Sequence, residues 1–303
     1  MGERLGEVIE IHRYPVKSMQ GERLEEVEAS ASGLAGDRSW AIRDEKREAL
    51  EGARKLPALL GCHARQTAGA DPDGATPQVE LPDGRTYAAD DPALAEALSE
   101  LVGRPVTLWP LRPADDEAHY RRAPMEGDDM LEELRQTFGR LPDEPLPDIG
   151  AFPPEVLMSA TLPGTYFDAY PFFFLTRQSL QSLSERHPQS RFEARRFRPN
   201  LLLESHLETH LETHTGERET ASAPHPFPEN QWVGSTIQIG EARFKVEMEC
   251  PRCVMTTHPM GDLPKDPQIM RSLVQENGGN LGVYASLVAP GRIRPGDAVT
   301  RVD

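Results

Sequence analysis

Apolar residues in this chain recur mostly as short alternating or continuous runs, and only in a few places at helical spacing. Val8 to Tyr14 alternates and stops at Pro15, which predicts a strand. Arg38 to Arg43 predicts a second strand, turned into the next by Asp44-Glu45-Lys46. Val79 to Tyr87 is broken by Pro82-Asp83-Gly84, a strong turn signal. Helical spacing is clear in Ala93 to Leu101, where Leu94, Ala97, Leu98 and Leu101 share one face and Gly103 follows as a stop. Val106 to Leu111 reads as a strand again. Later, Pro171 to Thr176 is a continuous apolar run that fits a buried strand, followed by a helix over Ser179 to Arg186 and a strand over Leu201 to Leu203. Thr236 to Ile239 and Arg243 to Met248 predict a hairpin around Gly240-Glu241. A helix over Pro267 to Glu276 ends at Gly278, and Val283 to Val288 and Ala298 to Val302 are closing strands.

Between the two β-rich stretches the composition shifts to proline, acid and glycine, as in LPDEPLPDIGAFPPE. Residues 113–165 read as a linker or long surface excursion holding one short helix, Asp129 to Phe138. The expected organisation is an N-terminal unit at 1–112, the excursion, and a C-terminal unit at 166–303. Many short strands with few helices predict a mainly β fold with peripheral helices (α+β), the second half being a small closed barrel.

Charge narrows the partners. Among 303 residues, 33 Lys and Arg face 49 Asp and Glu, a net charge of −16. That field repels nucleic acid and anionic lipid, so neither is expected as a partner. No apolar stretch reaches membrane-span length, and the N-terminus carries charges where a signal peptide is apolar, so the expectation is a cytoplasmic protein. A local basic pocket for one small anion is still compatible with this field.

Three cysteines, Cys62, Cys250 and Cys253, give no even disulfide framework. Cys250-Pro251-Arg252-Cys253 follows a hairpin strand, where a sheet can aim a side chain into a cleft. Four readings compete for it. Zinc needs further ligands at suitable spacing. A thioredoxin-type pair should open a helix, and Thr256-Thr257-His258-Pro259 is poor helix. The cysteines can also be two small buried hydrophobes. The fourth reading is a single thiolate on a soft metal, with Arg252 near it to favour the anionic sulfur. Elsewhere, His206, His210 and His214 fall at every fourth residue in a LETH repeat. On a helix they could hold zinc or nickel, and in a solvated duplicated loop they hold nothing.

Three further runs carry cations at turns: Tyr14-Pro15-Val16-Lys17-Ser18, Gly36-Asp37-Arg38-Ser39-Trp40 and Arg196-Phe197-Arg198-Pro199-Asn200. If Lys17, Arg38 and Arg198 converge in space, their mutual repulsion needs an anionic ligand to offset it. Together with the CPRC-V-M-T-T segment and the closing Pro290-Gly291 and Gly296-Asp297 turns, these runs resemble the MOSC (molybdenum cofactor sulfurase C-terminal) proteins with an attached N-terminal β-barrel domain. Their relatives include the mitochondrial amidoxime-reducing component. The resemblance implies a molybdenum cofactor (molybdopterin) whose metal takes a thiolate from Cys253, with two more sulfurs from the pterin dithiolene. It implies that Lys17, Ser18, Arg38 and Arg198 hold the anionic cofactor, with Asp168, Asn200 and Tyr284 as further pocket positions. It implies two-electron reduction of an N-hydroxylated or N-oxide-type small molecule, with electrons from a separate redox protein. The alternative it carries is a cofactor carrier or sulfur relay without reductase activity. Pyridoxal phosphate binding is a further family attribute. The segment His258-Pro259-Met260-Gly261-Asp262-Leu263 departs from the acidic turn usual in the reductases, which bears on the substrate.

Overall fold

The computed structural model describes residues 2–67, 75–124, 129–152, 159–206 and 225–302. Seven strands form a closed wall. Going round it, Leu201–Ser205 is followed by Phe172–Thr176, Asn280–Ala289, Ala242–Pro251, Thr236–Ile239, Ala298–Arg301 and Arg4–Arg13, and the last pairs back with Leu201–Ser205. Pairing is antiparallel throughout except between Phe172–Thr176 and Leu201–Ser205. Closure leaves this sheet almost no free edge, and the short strand Glu22–Leu24 is added outside Arg4–Arg13.

Alternation along each strand sorts side chains between the barrel interior and its outer face. Leu5, Val8, Ile11, Phe172, Phe174, Leu201, Leu203, Phe244, Val246 and Val283 fill the interior. Phe244 stacks edge-on to both Phe172 and Phe174 at 4.8 and 5.2 Å between ring centres. The intervening Phe173, Leu175 and Leu202 point outward and meet Leu180 and Leu183 of the helix Arg177–Arg186. Both faces of Phe172–Thr176 are therefore buried, which accounts for its unbroken apolar run.

The other N-terminal strands form small three-stranded sheets. Trp40–Asp44 lies between Val106–Pro110 and Ala49–Glu51, and Gln78–Glu80 lies between His63–Arg65 and Thr86–Ala88. The helix Pro92–Val102 packs on them through Leu94, Ala97 and Leu98, capped by Asp91 and stopped by Gly103 in the left-handed conformation. Val27–Ser30 pairs with Gly291–Ile293, so N-terminal chain meets the C-terminal half here as well as through Arg4–Arg13.

Two expectations need correction. The strand expected from Arg38 begins only at Trp40, because Gly36 and Arg38 both take positive φ (75° and 48°) and bend the chain. The excursion after residue 112 is not wholly a surface feature. Its helix Met130–Phe138 forms with Asp129 as cap, but His119, Tyr120 and Arg140 are buried, and Tyr120 packs with Tyr166, Ala41 and Leu50. Acid-rich neighbours hid these contacts in the sequence pattern. The LETH repeat beyond His206 lies outside the described residues. Among the described residues no helix is long and apolar enough to cross a membrane.

The 3₁₀ turn Pro228–Trp232 covers one stretch of wall and brings in a fully buried carboxyl, Glu229. The hydroxyls of Thr176 and Ser179 lie 2.6 Å from its Oε2, while Oε1 has no partner. Burial raises its pKa above the ordinary 4.5 despite these hydroxyls. The neutral acid is thus favoured in the fold, so its contribution is full below pH 4.5 and is lost as pH rises through the raised value. Glu229→Gln is expected to flatten this decline, reducing the difference in urea midpoint between pH 5 and pH 8. A wild-type slope in the variant would show that Glu229 does not titrate in this way.

Candidate functional site

A cleft opens beside the outer face of Phe172–Thr176, where the chain's turns converge. Its wall includes Lys17, Ser18, Arg38, Asp168, Tyr170, Phe173, Phe197, Arg198, Asn200, Arg252, Met255 and Tyr284. The structure thus brings together seven of the eight residues singled out by the sequence. Cys253, the eighth, is half-buried and not part of this wall. It heads the 3₁₀ turn Val254–Thr257, between the wall residues Arg252 and Met255, and its carbonyl accepts from Thr256.

Backbone conformation marks the same place. Among the described residues, four that are not glycine have positive φ: Ser18 (70°), Arg38 (48°), Arg198 (59°) and Glu48 (53°). The first three line the cleft. L-residues with side chains adopt this region at a cost of about 1–3 kcal/mol each, and such strain clusters at sites where a side chain must be aimed. Each of the three sits at a turn following a strand or short helix, and the turn carries its head group inward. Ser18 is also fixed by its hydroxyl, which accepts from the Ala53 amide at 2.9 Å.

The electrostatics differ from a bare cluster of cations. Lys17 donates to Asp168 Oδ1 at 2.6 Å and to the Tyr166 carbonyl at 2.9 Å. Arg38 pairs with the buried Asp37, whose carboxylate also accepts from the Tyr14 amide (2.7 Å) and Asn200 Nδ2 (2.9 Å). The convergence expected to be offset only by a ligand is therefore partly neutralised from within. Desolvation works against ionised Asp168, but Lys17, with Arg54 and Arg38 beyond it, holds its carboxyl well below the usual carboxylate range. Lys17 itself is pulled down by burial, more strongly than Asp168 raises it.

Arg198 has no carboxylate of its own. Its guanidinium donates to the Met19 carbonyl and lies 4.2 Å from the centre of the Tyr14 ring. Burial first, and then the charge of Arg38, lower its pKa to about 10. Arg252 is likewise buried. Its Nη2 donates to the Phe197 carbonyl at 2.7 Å, its plane stacks on Phe173, and its Nε has no partner. Arg252 makes its direct contact with the other cysteine of the pair, Nη1 lying 2.9 Å from Cys250 Sγ, and meets Cys253 only through its charge. Burial raises the Cys250 thiol, and Arg252 and the Tyr284 hydroxyl oppose that shift.

Tyr14, Asp37 and the aromatic wall of Tyr170 and Phe173 were not singled out from the sequence. A signal existed only for Asp37, as the residue preceding Arg38. The donors fit an anionic pterin cofactor: Lys17, Arg38, Arg198 and Arg252 outnumber Asp37 and Asp168, one buried guanidinium nitrogen is unpaired, and Tyr170, Phe173 and Tyr284 offer flat apolar faces.

Comparison with known proteins places the chain in a family. The MOSC domain family matches residues 164–300, and the MOSC N-terminal β-barrel domain matches residues 5–96. Mitochondrial amidoxime-reducing component 1 of Xenopus laevis is 25% identical over 329 residues, covering 99% of this chain and 83% of that protein. Its counterparts in Mus musculus and Homo sapiens are 25% and 24% identical, each over 98% of this chain. Among solved structures, the YUAD protein from Bacillus subtilis aligns over 99% of this chain and 97% of its own, with 11% identity and a TM-score of 0.41. YiiM from Geobacillus stearothermophilus aligns over 44% of this chain and 55% of its own, with 20% identity and a TM-score of 0.29. The chain belongs to the MOSC-domain proteins that carry the MOSC N-terminal β-barrel domain, a family associated with the molybdenum cofactor.

Proposed function

We propose that this protein is a molybdenum-cofactor reductase acting on N-hydroxylated or N-oxide-type small molecules, with electrons delivered by a separate redox protein. The observation that carries the reading is the convergence of Lys17, Ser18, Arg38 and Arg198 on one cleft of a chain with net charge −16, three of them held in left-handed backbone. When bound, the cofactor supplies two-electron oxygen-transfer chemistry, and the protein binds and orients it. Lys17, Arg38 and Arg198 neutralise its anionic end through charge-assisted hydrogen bonds. Asn200 is tied to Asp37, so it holds Arg38's partner in place rather than turning freely. Tyr170, Phe173 and Tyr284 would offer the bound cofactor flat apolar faces and keep water from their side of the cleft. Burial raises the Tyr284 phenol well above its ordinary pKa, so it stays protonated at neutral pH. Cys253 supplies the thiolate for the metal. The overall change consumes two electrons and two protons, breaks one N–O bond and releases water.

The test is metal analysis and oxidised-pterin fluorescence on protein from a cofactor-competent host, followed by turnover of an amidoxime with a chemical reductant. Near-stoichiometric molybdenum with product formation is expected. Folded protein without molybdenum overturns the reading, and molybdenum without turnover favours a carrier.

A further inference from the structure

Tyr14 is buried behind the cleft and is tied to both of the turns that deliver arginines to it. Its amide donates to Asp37 Oδ1 at 2.7 Å, and its carbonyl accepts from the Arg38 amide at 2.8 Å, so the turn that carries Arg38 is fastened to its backbone. Its hydroxyl donates to the carbonyl of Pro199, the residue after Arg198, at 3.1 Å. These three segments lie far apart in the chain and meet at this one residue. Gly21 leaves room for the ring, since a Cβ there would stand 2.7 Å from Tyr14 Cδ1. Burial raises the phenol, so the hydroxyl stays protonated at neutral pH.

The ring is a common seat for two cations. The guanidinium carbon of Arg198 lies 4.2 Å from its centre, and that of Arg38 lies 5.3 Å from it. Both are within range of the ring's quadrupole, which attracts cations most strongly where water is excluded. The two arginines depend on it unequally. Arg38 pairs with Asp37 and also lies 5.7 Å from the Phe167 ring. Arg198 pairs with no carboxylate among the described residues, and rests on the Met19 carbonyl and the Tyr14 face. A carboxylate in that place would hold the guanidinium but cancel the charge an anionic ligand needs. A neutral aromatic face holds it and leaves the charge available.

We propose that Tyr14 is a positioning residue for the anionic end of the cofactor, acting chiefly through Arg198, whose guanidinium its ring seats without neutralising it. The inference rests on the cofactor reading above. Tyr14 is not among the residues of the cleft wall, so its effect on the ligand passes through the arginines that are.

The test uses the full chain, loaded in a cofactor-competent host, as wild type, Tyr14→Phe and Tyr14→Leu, each also in an Arg198→Met background. Molybdenum content, the rate at which oxidised-pterin fluorescence is lost from the protein, and the apo melting temperature are measured on each. Tyr14→Phe keeps the face and loses only the bond to Pro199, so its cofactor should leave within about twofold of the wild-type rate, with an earlier apo melt. Tyr14→Leu loses the face, and its cofactor should leave about tenfold faster. In the Arg198→Met background the same change should add less than about twofold, because the cation that used the face is gone. Wild-type release from Tyr14→Leu overturns this inference alone. So does an equal loss in Tyr14→Phe and Tyr14→Leu, which assigns the effect to the hydroxyl. An undiminished effect of Tyr14→Leu in the Arg198→Met background also overturns it and makes Tyr14 a packing residue. Absence of molybdenum from the wild type overturns the cofactor reading, and this inference with it.

Discussion

Cys253→Ala protein is expected to leave a cofactor-competent host with no sulfur from the chain on its molybdenum, whereas Cys250→Ala protein keeps that sulfur. The two cysteines occupy different environments despite their spacing. Cys250 is fully buried with Arg252 Nη1 2.9 Å from its sulfur, so that sulfur serves the interior. Cys253 is half-buried at the head of a turn beside two residues of the cleft wall. Loss of Cys250 should instead register as stability. It strands Arg252 Nη1 in the interior, at about 1–3 kcal/mol. X-ray absorption on both variants counts the sulfur neighbours, and denaturant midpoints give the stability change. Loss of a sulfur scatterer from Cys250→Ala alone would reverse the assignment.

The arginines of the cleft should separate cofactor retention from folding. Removing either charge, as Arg38→Met or Arg198→Met, takes away contacts of roughly 1.5–3 kcal/mol each to an anionic ligand. Retention should weaken about ten- to a hundredfold. The apo proteins should move in opposite directions. Arg38→Met leaves the Asp37 carboxylate buried with only neutral partners, so the apo form should melt earlier. Arg198 is held charged against a pKa lowered to about 10, so its replacement relieves a penalty, and the apo form should melt level or later. Cofactor content and apo melting temperature on the same preparations decide this. Full occupancy in both variants would make these arginines structural.

Much of the strand content was legible because alternation and turn chemistry act locally. The apolar run before Thr176, the Gly240-Glu241 hairpin and the helix ended by Gly103 all follow from residues within a few positions. The cations of the site were legible only as members of a recognised set of short motifs. Nothing in the spacing of Lys17, Arg38 and Arg198 says that they share a cleft. What escaped notice depends on partners far away in the chain. Asp37 matters because Asn200 and the Tyr14 amide meet it, and Arg252 turns to Cys250 because Phe173 and Phe197 leave it that path. The burial of Tyr120 was hidden by the charged residues around it, since its cover comes from Ala41, Leu50 and Tyr166.

The position of Arg4–Arg13 in the barrel wall bears on the order of events during synthesis. This strand is made long before Leu201–Ser205 and Ala298–Arg301, the two between which it finally lies. Until those emerge, Glu22–Leu24 can cover only the Ile11–Arg13 end of one edge, while the apolar face and the rest of both hydrogen-bonding edges have to be shielded in some other way, and pairing over such separations is slow. Lys17 and Ser18 follow directly behind it, while Arg198, Cys253 and Tyr284 come late. A growing chain therefore offers no complete cleft, and on the proposed function cofactor capture would wait until the wall has closed. Truncation before Ala298 should have the same effect permanently, leaving an open sheet with an exposed edge and a chain that holds neither its shape nor its ligand.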